Sequence, residues 1–207
     1  MVQKEPQDAP RPRGRPRSFD AGEVLEKARG VFWNLGYAAA SLDDIAAATG
    51  LNRPSLYAAF GDKHALYMRA LEQTRAGAVA AMRAVMGREG PLREALAALF
   101  GAAIEAYVSG DAGQRGCFII GTAVTQAVDD PDARALLAGF VADEDEVFRE
   151  RFARSANALA PGLTPEAAAA MATAALHTLA IRARTGGSRA ELTRVAEAAT
   201  GLICGPA

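Results

Sequence analysis

The sequence predicts an all-α fold: a three-helix head followed by a larger helical body, about nine helices in all. Three observations predict it. Apolar residues recur at helical spacing, as in Val24, Ala28, Val31 and Leu35. Alanine outweighs the β-branched residues, which favours helix over strand. Capping residues and Gly or Pro breaks punctuate the chain at helical intervals, and no segment alternates convincingly.

Residues 1–18 are rich in Pro and Arg and nearly free of apolar side chains, the composition of a disordered basic arm. Asp20 caps the first helix, with Glu23 placed as its capping-box partner. The stripe from Val24 to Leu35 is widened by Leu25 and Phe32, and Gly36 ends it. Ser41-Leu42-Asp43-Asp44 repeats the box and opens a short helix through Ile45 and Ala48. Thr49-Gly50-Leu51 is a break. Asn52 caps a third helix with Pro54 in its first turn. Gly61-Asp62 starts a fourth, running from Lys63 into the mid-eighties. Five further starts follow: Gly90-Pro91, Cys117 after the Gly-rich stretch 110–116, Asp130-Pro131, Thr164-Pro165, and Ser188 with Glu191. The expected organisation is an arm over 1–18, a head over 19–65 and a body over 66–207.

Net charge is −1, but its distribution is uneven. Residues 1–75 hold eleven Lys and Arg against nine Asp and Glu, and the rest hold twelve against fifteen. Arg11, Arg13, Arg15 and Arg17 crowd the arm, a local device for a polyanion. The two cysteines, Cys117 and Cys204, form neither a disulfide framework nor a zinc spacing. No apolar run suits a membrane span or a signal peptide, so a cytoplasmic protein is expected. No nucleophile motif or phosphate-cradling loop is visible. His64 and His177 lack companions at metal-ligand spacing. An enzyme, a metal and a cofactor are therefore not expected.

The second and third helices, joined by a tight turn at Gly50, have helix-turn-helix spacing. A helix that reads DNA needs small or polar residues in its N-terminal half, so that its backbone approaches base edges. Asn52, Arg53, Pro54 and Ser55 fit. Leu56 and Phe60 would face inward, leaving the Tyr57 hydroxyl to reach a phosphate. On Phe19-Asp20, Gly36-Tyr37, Ser41 to Ala46, Gly50-Leu51, Ser55-Leu56-Tyr57, Phe60 to Lys63 and Leu66, residues 19–72 resemble the DNA-binding head of the TetR family. The resemblance implies that Ser41, Tyr57 and Lys63 contact phosphate and that Arg53 and Ser55 lie at base edges. Ala59 departs from it, standing where many members carry a polar His. Arg13-Gly14-Arg15-Pro16 resembles the core of an AT-hook, and with Arg17 it has two readings: a minor-groove contact or a solvated tail.

The resemblance also implies a cavity among the middle helices. Candidate lining residues are Phe100, Ile104, Tyr107, Cys117, Phe118, Thr122, Gln126, Phe140 and Phe148, which suit a small, mostly apolar effector. Each one alone reads as core packing before it reads as a ligand contact. Cys117, after Arg115 and at a helix start, reads either as a reactive thiol of lowered pKa or as a small buried apolar residue. His177, in an apolar run, reads as a satisfied core or interface residue or as a sensor. Asp143 to Glu146 reads as a solvated helix face rather than paired catalytic acids. The resemblance further implies a homodimer through the last two helices, which are Ala-rich and so permit close approach. The expected function is thus a dimeric repressor released from double-stranded operator DNA by a small effector. Its alternatives are a redox or electrophile sensor acting through Cys117, and an architectural DNA-binding protein.

Overall fold

The computed structural model describes residues 19–109 and 115–205. Among them are nine α-helices and no strand. They are α1 (Ala21–Ala39), α2 (Leu42–Thr49), α3 (Arg53–Phe60), α4 (Lys63–Met86), α5 (Leu92–Val108), α6 (Phe118–Gln126), α7 (Pro131–Arg154), α8 (Pro165–Arg184) and α9 (Arg189–Cys204). One 3₁₀ turn, Ala156–Ala158, follows α7. The all-α expectation holds, and the arm with Arg13, Arg15 and Arg17 lies outside the described residues.

Local chemistry sets most helix starts. Ser41 and Ser188 form reciprocal capping boxes with Asp44 and Glu191. Asn52, Asp62, Asp130 and Thr164 each accept an amide of the following turn. The Asp20 cap differs from expectation. Its carboxylate accepts from the Gly22 and Glu23 amides, but Glu23 returns no bond. In the box at α2 the acid accepts both the backbone amide of Ser41 at 2.9 Å and its hydroxyl at 2.6 Å. At Asp20 the hydroxyl donor is replaced by a carboxylate of like charge.

The α1 stripe also differs in detail. The buried line is Val24, Ala28 and Phe32, spaced by four, while Val31 is half-buried and Leu35 is exposed. Regular helix breaks at Gly36, and the contact of α1 with α2 and α4 follows the line that ends at Phe32.

Two apolar clusters form the interior. The first joins Val24, Phe32, Ile45, Leu56 and Phe60 of the head to Phe118, Ile119 and Ala123 of α6 and to Leu136 and Phe140 of α7. The second lies among α5, α7, α8 and α9, around Leu96, Phe100, Phe148, Phe152, Leu179 and Leu192. Helix α4 belongs to both. Its first turns give Leu66, Tyr67, Ala70 and Leu71 to one cluster, and its last turns give Met82 and Met86 to the other. No helix is long and apolar enough to cross a membrane among the described residues.

Phe32 is fully buried, with its ring centroid 5.1 Å from that of Tyr67. Phe32→Ala should cost about 3–5 kcal/mol, because the cavity left behind cannot fully collapse. Urea denaturation followed by helical circular dichroism checks this.

Candidate DNA interface and internal cavity

Helix α3 presents one face inward and another outward. Leu56 and Phe60 are buried, while Asn52, Arg53 and Tyr57 are exposed and Ser55 is half-exposed. The turn ahead of α3 depends on Gly50, whose φ of 73° is left-handed and disfavoured for any residue with a Cβ. Arg53 reaches back to Asp43 of α2 in a two-pronged ion pair, with Nε 2.5 Å from Oδ1. The hydrogen bond from Arg53 holds the Asp43 carboxyl below its usual range.

Several head residues already have partners. The Ser41 hydroxyl serves the α2 capping box, and the Asn52 side chain accepts the Ser55 amide at 2.9 Å. The Lys63 ammonium donates to the carbonyls of Tyr37 and Ala40, each at 2.9 Å, and sits 4.5 Å from the centre of the Tyr37 ring. It thereby satisfies orphan carbonyls at the end of α1. His64 Nε2 lies 2.8 Å from Asp130, tying the start of α4 to the start of α7. With Asp132 these form a group close enough to hold a metal, a proximity that sequence spacing did not reveal. Asp130 is occupied there by two backbone amides and His64.

Above the head lies a cavity of about 270 Å³. Its walls come from α1 (Arg29, Trp33), α4 (Thr74, Ala78, Met82), α5 (Leu99, Tyr107), the α6 start (Cys117, Phe118), α7 (Phe140, Glu144) and α8 (Leu176). The Trp33 indole donates to the Arg115 carbonyl at 3.2 Å, and the guanidinium groups of Arg29 and Arg115 lie 4.8 Å and 5.2 Å from its ring centre. Gly116 lets the segment before α6 lie against α8, since a Cβ there would clash with the Ala180 carbonyl oxygen. That contact fixes where Cys117 enters the cavity wall.

Residues 24–70 match the sequence profile described as bacterial regulatory proteins, tetR family. The chain is 37% identical over 121 residues to the HTH-type transcriptional repressor ComR of Escherichia coli K12, a stretch covering 58% of this chain and 57% of ComR. It therefore spans less than two thirds of the length of that curated relative. It is 35% identical over 89 residues to the HTH-type transcriptional activator FasR of Mycolicibacterium smegmatis, 41% of each chain. Along nearly its full length it is similar to the TetR family transcriptional regulator CifR. A cysteine-substituted form of CifR, solved with a 26-base-pair operator DNA, has 32% identity and a TM-score of 0.75. That alignment covers 90% of this chain and 98% of CifR. The chain belongs to the TetR family. The family is one of regulatory proteins, not of enzymes.

In this TetR-family chain the expected cavity residues divide. Tyr107, Cys117, Phe118 and Phe140 line the cavity. Phe100, Ile104 and Phe148 do not; they turn into the second apolar cluster, where α5 and α7 meet α8 and α9. Thr122 is buried in hydrogen bonds with Tyr67 and Phe118, and Gln126 sits at the α6 end away from the cavity. Sequence reasoning missed Arg29 and Trp33, because α1 was assigned wholly to the head.

It also missed Glu144. Expected on a solvated face, this side chain is only 3% exposed and lies 2.7 Å from His177 Nε2. Four consecutive acids wrap most of a helical turn, so one of them must face inward. Glu144 is four residues from both Phe140 and Phe148, and that spacing was the available signal. Burial raises its pKa by more than the hydrogen bond from His177 lowers it. Of the two readings of His177, the partnered one describes the geometry.

Of the two readings of Cys117, its surroundings do not favour the thiol of lowered pKa. Burial pushes its thiol up to about 11, aided by the Glu144 charge and only partly offset by the α6 amides and Arg29. Arg115, the expected activator, lies over Trp33 instead. At pH 8 its thiolate fraction should be roughly a hundredfold below that of an ordinary cysteine, so iodoacetamide should label it slowly. The folded thiol holds its proton more tightly than the unfolded one. Its contribution to stability is thus complete below pH 9.0 and lost as the pH rises towards about 11. Peptide-resolved alkylation rates across that range check both statements.

Proposed function

We propose that this regulator is a dimeric, sequence-specific repressor that leaves its operator when a small, mostly apolar effector fills the cavity. The observation that carries the reading is the composition of the cavity wall. Both helices that support the DNA-reading unit, α1 through Arg29 and Trp33 and α4 through Thr74, Ala78 and Met82, line it. A ligand there meets the same two helices that Lys63 binds together at the base of the head. Coupling of this kind is reciprocal, so operator DNA must weaken effector binding by the same factor.

On DNA, α3 would lie in the major groove with Arg53 and Ser55 at base edges and Tyr57 on phosphate. Arg53 would first have to leave Asp43, or read bases while held by it. Ser41 and Lys63, whose polar groups already have internal partners, would contact phosphate through what remains of their hydrogen-bonding capacity and nearby amides. Arg13, Arg15 and Arg17 would add salt-sensitive backbone contacts. The operator complex of CifR and the repressor name of ComR support the reading; the activator name of FasR makes the sign of regulation a matter for experiment. Dimerisation through α8 and α9 is supported by exposed Met171, Ile181 and Leu202 on those helices.

A second reading, capture of an electrophile by Cys117, is favoured by the position of the thiol in the cavity wall. An adduct there would occupy the effector space. It predicts that Cys117→Ala abolishes release by an electrophile while leaving release by a non-covalent effector intact.

Footprinting on DNA from upstream of the gene, at fixed salt, tests the main reading. A compact site with two-fold symmetry is expected, and Tyr57→Ala should weaken binding about tenfold, the loss of one good polar contact. Diffuse protection, unaffected by Tyr57→Ala, would remove the operator-specific reading.

A further inference from the structure

Glu144 poses a chemical problem that the apolar-effector reading leaves open. It is an acid in a cavity otherwise walled by Trp33, Tyr107, Phe118, Phe140 and aliphatic side chains. Its Oε2 meets His177 Nε2 at 2.7 Å, and among the described residues no donor serves Oε1. Apart from His177 of α8, the neighbouring groups from other elements bring it no positive charge. Tyr107 of α5 and Cys117 at the α6 N-cap are half-buried neutral groups whose pKa values desolvation raises. Asp143 and Asp145 on its own helix add negative charge nearby.

Among the described residues that line the cavity Arg29 is the one arginine or lysine, with Arg115 beside it on the Trp33 ring, and Arg29 is already engaged. Glu26 holds its guanidinium on two nitrogens, with Nε 2.9 Å from Oε2, and its charge lies over the Trp33 ring. The cavity therefore offers a carboxylate oxygen, Oε1, that His177 does not serve, beside a set of aromatic rings. A buried carboxylate wants a charge-assisted donor. Aromatic walls add attraction for a cation once it is desolvated.

We propose that the cavity selects a small organic cation: a protonated amine on an aromatic or short apolar body, its N–H groups donated to Glu144 and its charge set among the aromatic side chains. The proposal rests on the effector reading above and names the class of effector. An anion would face Glu144 across a low-dielectric space and would have to displace Glu26 from Arg29. A neutral molecule would leave Glu144 with His177 alone. The volume of about 270 Å³ limits the ligand to a small amine, near the lower end of ordinary ligand cavities.

Trp33 is the only tryptophan in the chain and stands in the cavity wall, so its fluorescence reports occupancy directly. The full-length protein is titrated with 2-phenylethylammonium, 2-phenylethanol and phenylacetate, which share a body and differ in charge. The ammonium ion should bind roughly tenfold tighter than the alcohol, the worth of one charge-assisted hydrogen bond, and phenylacetate should bind weakest. In Glu144→Gln, with helical circular dichroism intact, the preference for ammonium over alcohol should fall to near one. Equal binding of all three, a preference for phenylacetate, or an ammonium preference that persists in Glu144→Gln overturns the proposal while leaving an effector cavity in place. Binding of none of them overturns the effector reading of this cavity and the proposal with it. If Glu144→Gln does not fold, the charge series on the unaltered protein still decides.

Discussion

Burial of the Tyr67 ring holds three helices at one point. The ring of this α4 residue is completely enclosed, with centroids 5.1 Å from Phe32 and 4.7 Å from Tyr37 of α1 and 6.1 Å from Phe118 of α6. Its hydroxyl cannot be left without a partner in such a place. It donates to Thr122 Oγ1 at 2.9 Å, and Thr122 passes its own proton to the Phe118 carbonyl. Enclosure pushes the phenol up to about 12, so it remains a neutral donor at any physiological pH. Head and body are consequently not two balls on a tether. They share a core whose polar centre is satisfied in one arrangement.

That junction gives the cavity its leverage. Just below it, Lys63 closes the end of α1 with two charge-assisted hydrogen bonds. Just above it, α1 and α4 separate enough to wall a cavity with Trp33 on one side and Thr74 to Met82 on the other. A shift of α4 relative to α1 must disturb closely packed rings, and packed cores yield by moving between discrete arrangements rather than by bending continuously. The α6 start enters the same arrangement, because Gly116 seats it against α8 and the Trp33 indole bonds to Arg115.

Charge inside the body follows a different logic from charge on the head. On the surface, Arg53 and Asp43 meet in water, where the pair orients more than it stabilises. Within the body, Glu144 is removed from water with one imidazole as its partner. Retaining an acid there is costly for packing. A fold selected for stability alone would place an apolar residue at that register.

Much of this protein was legible without coordinates. Capping residues, Gly and Pro breaks and the spacing of four in Val24, Ala28 and Phe32 are local, so the nine helices and the inward face of α3 could be read from neighbours in the chain. The resemblance over the head added expected DNA contacts for Ser41, Arg53, Ser55, Tyr57 and Lys63, which local physics alone does not assign. Which helix faces meet could not be read that way. Phe100, Ile104 and Phe148 have the same apolar character as Phe118 and Phe140, yet turn into a different cluster, because that choice depends on α8 and α9 far along the chain. The same non-local packing buried Glu144 against His177, brought Arg29 and Trp33 into the body, and protonated Cys117. Which elements form and where each begins follow from local residues, since those forces act within a turn of helix. The cavity and its charge came from tertiary packing, since desolvation depends on atoms that are near in space and distant in sequence.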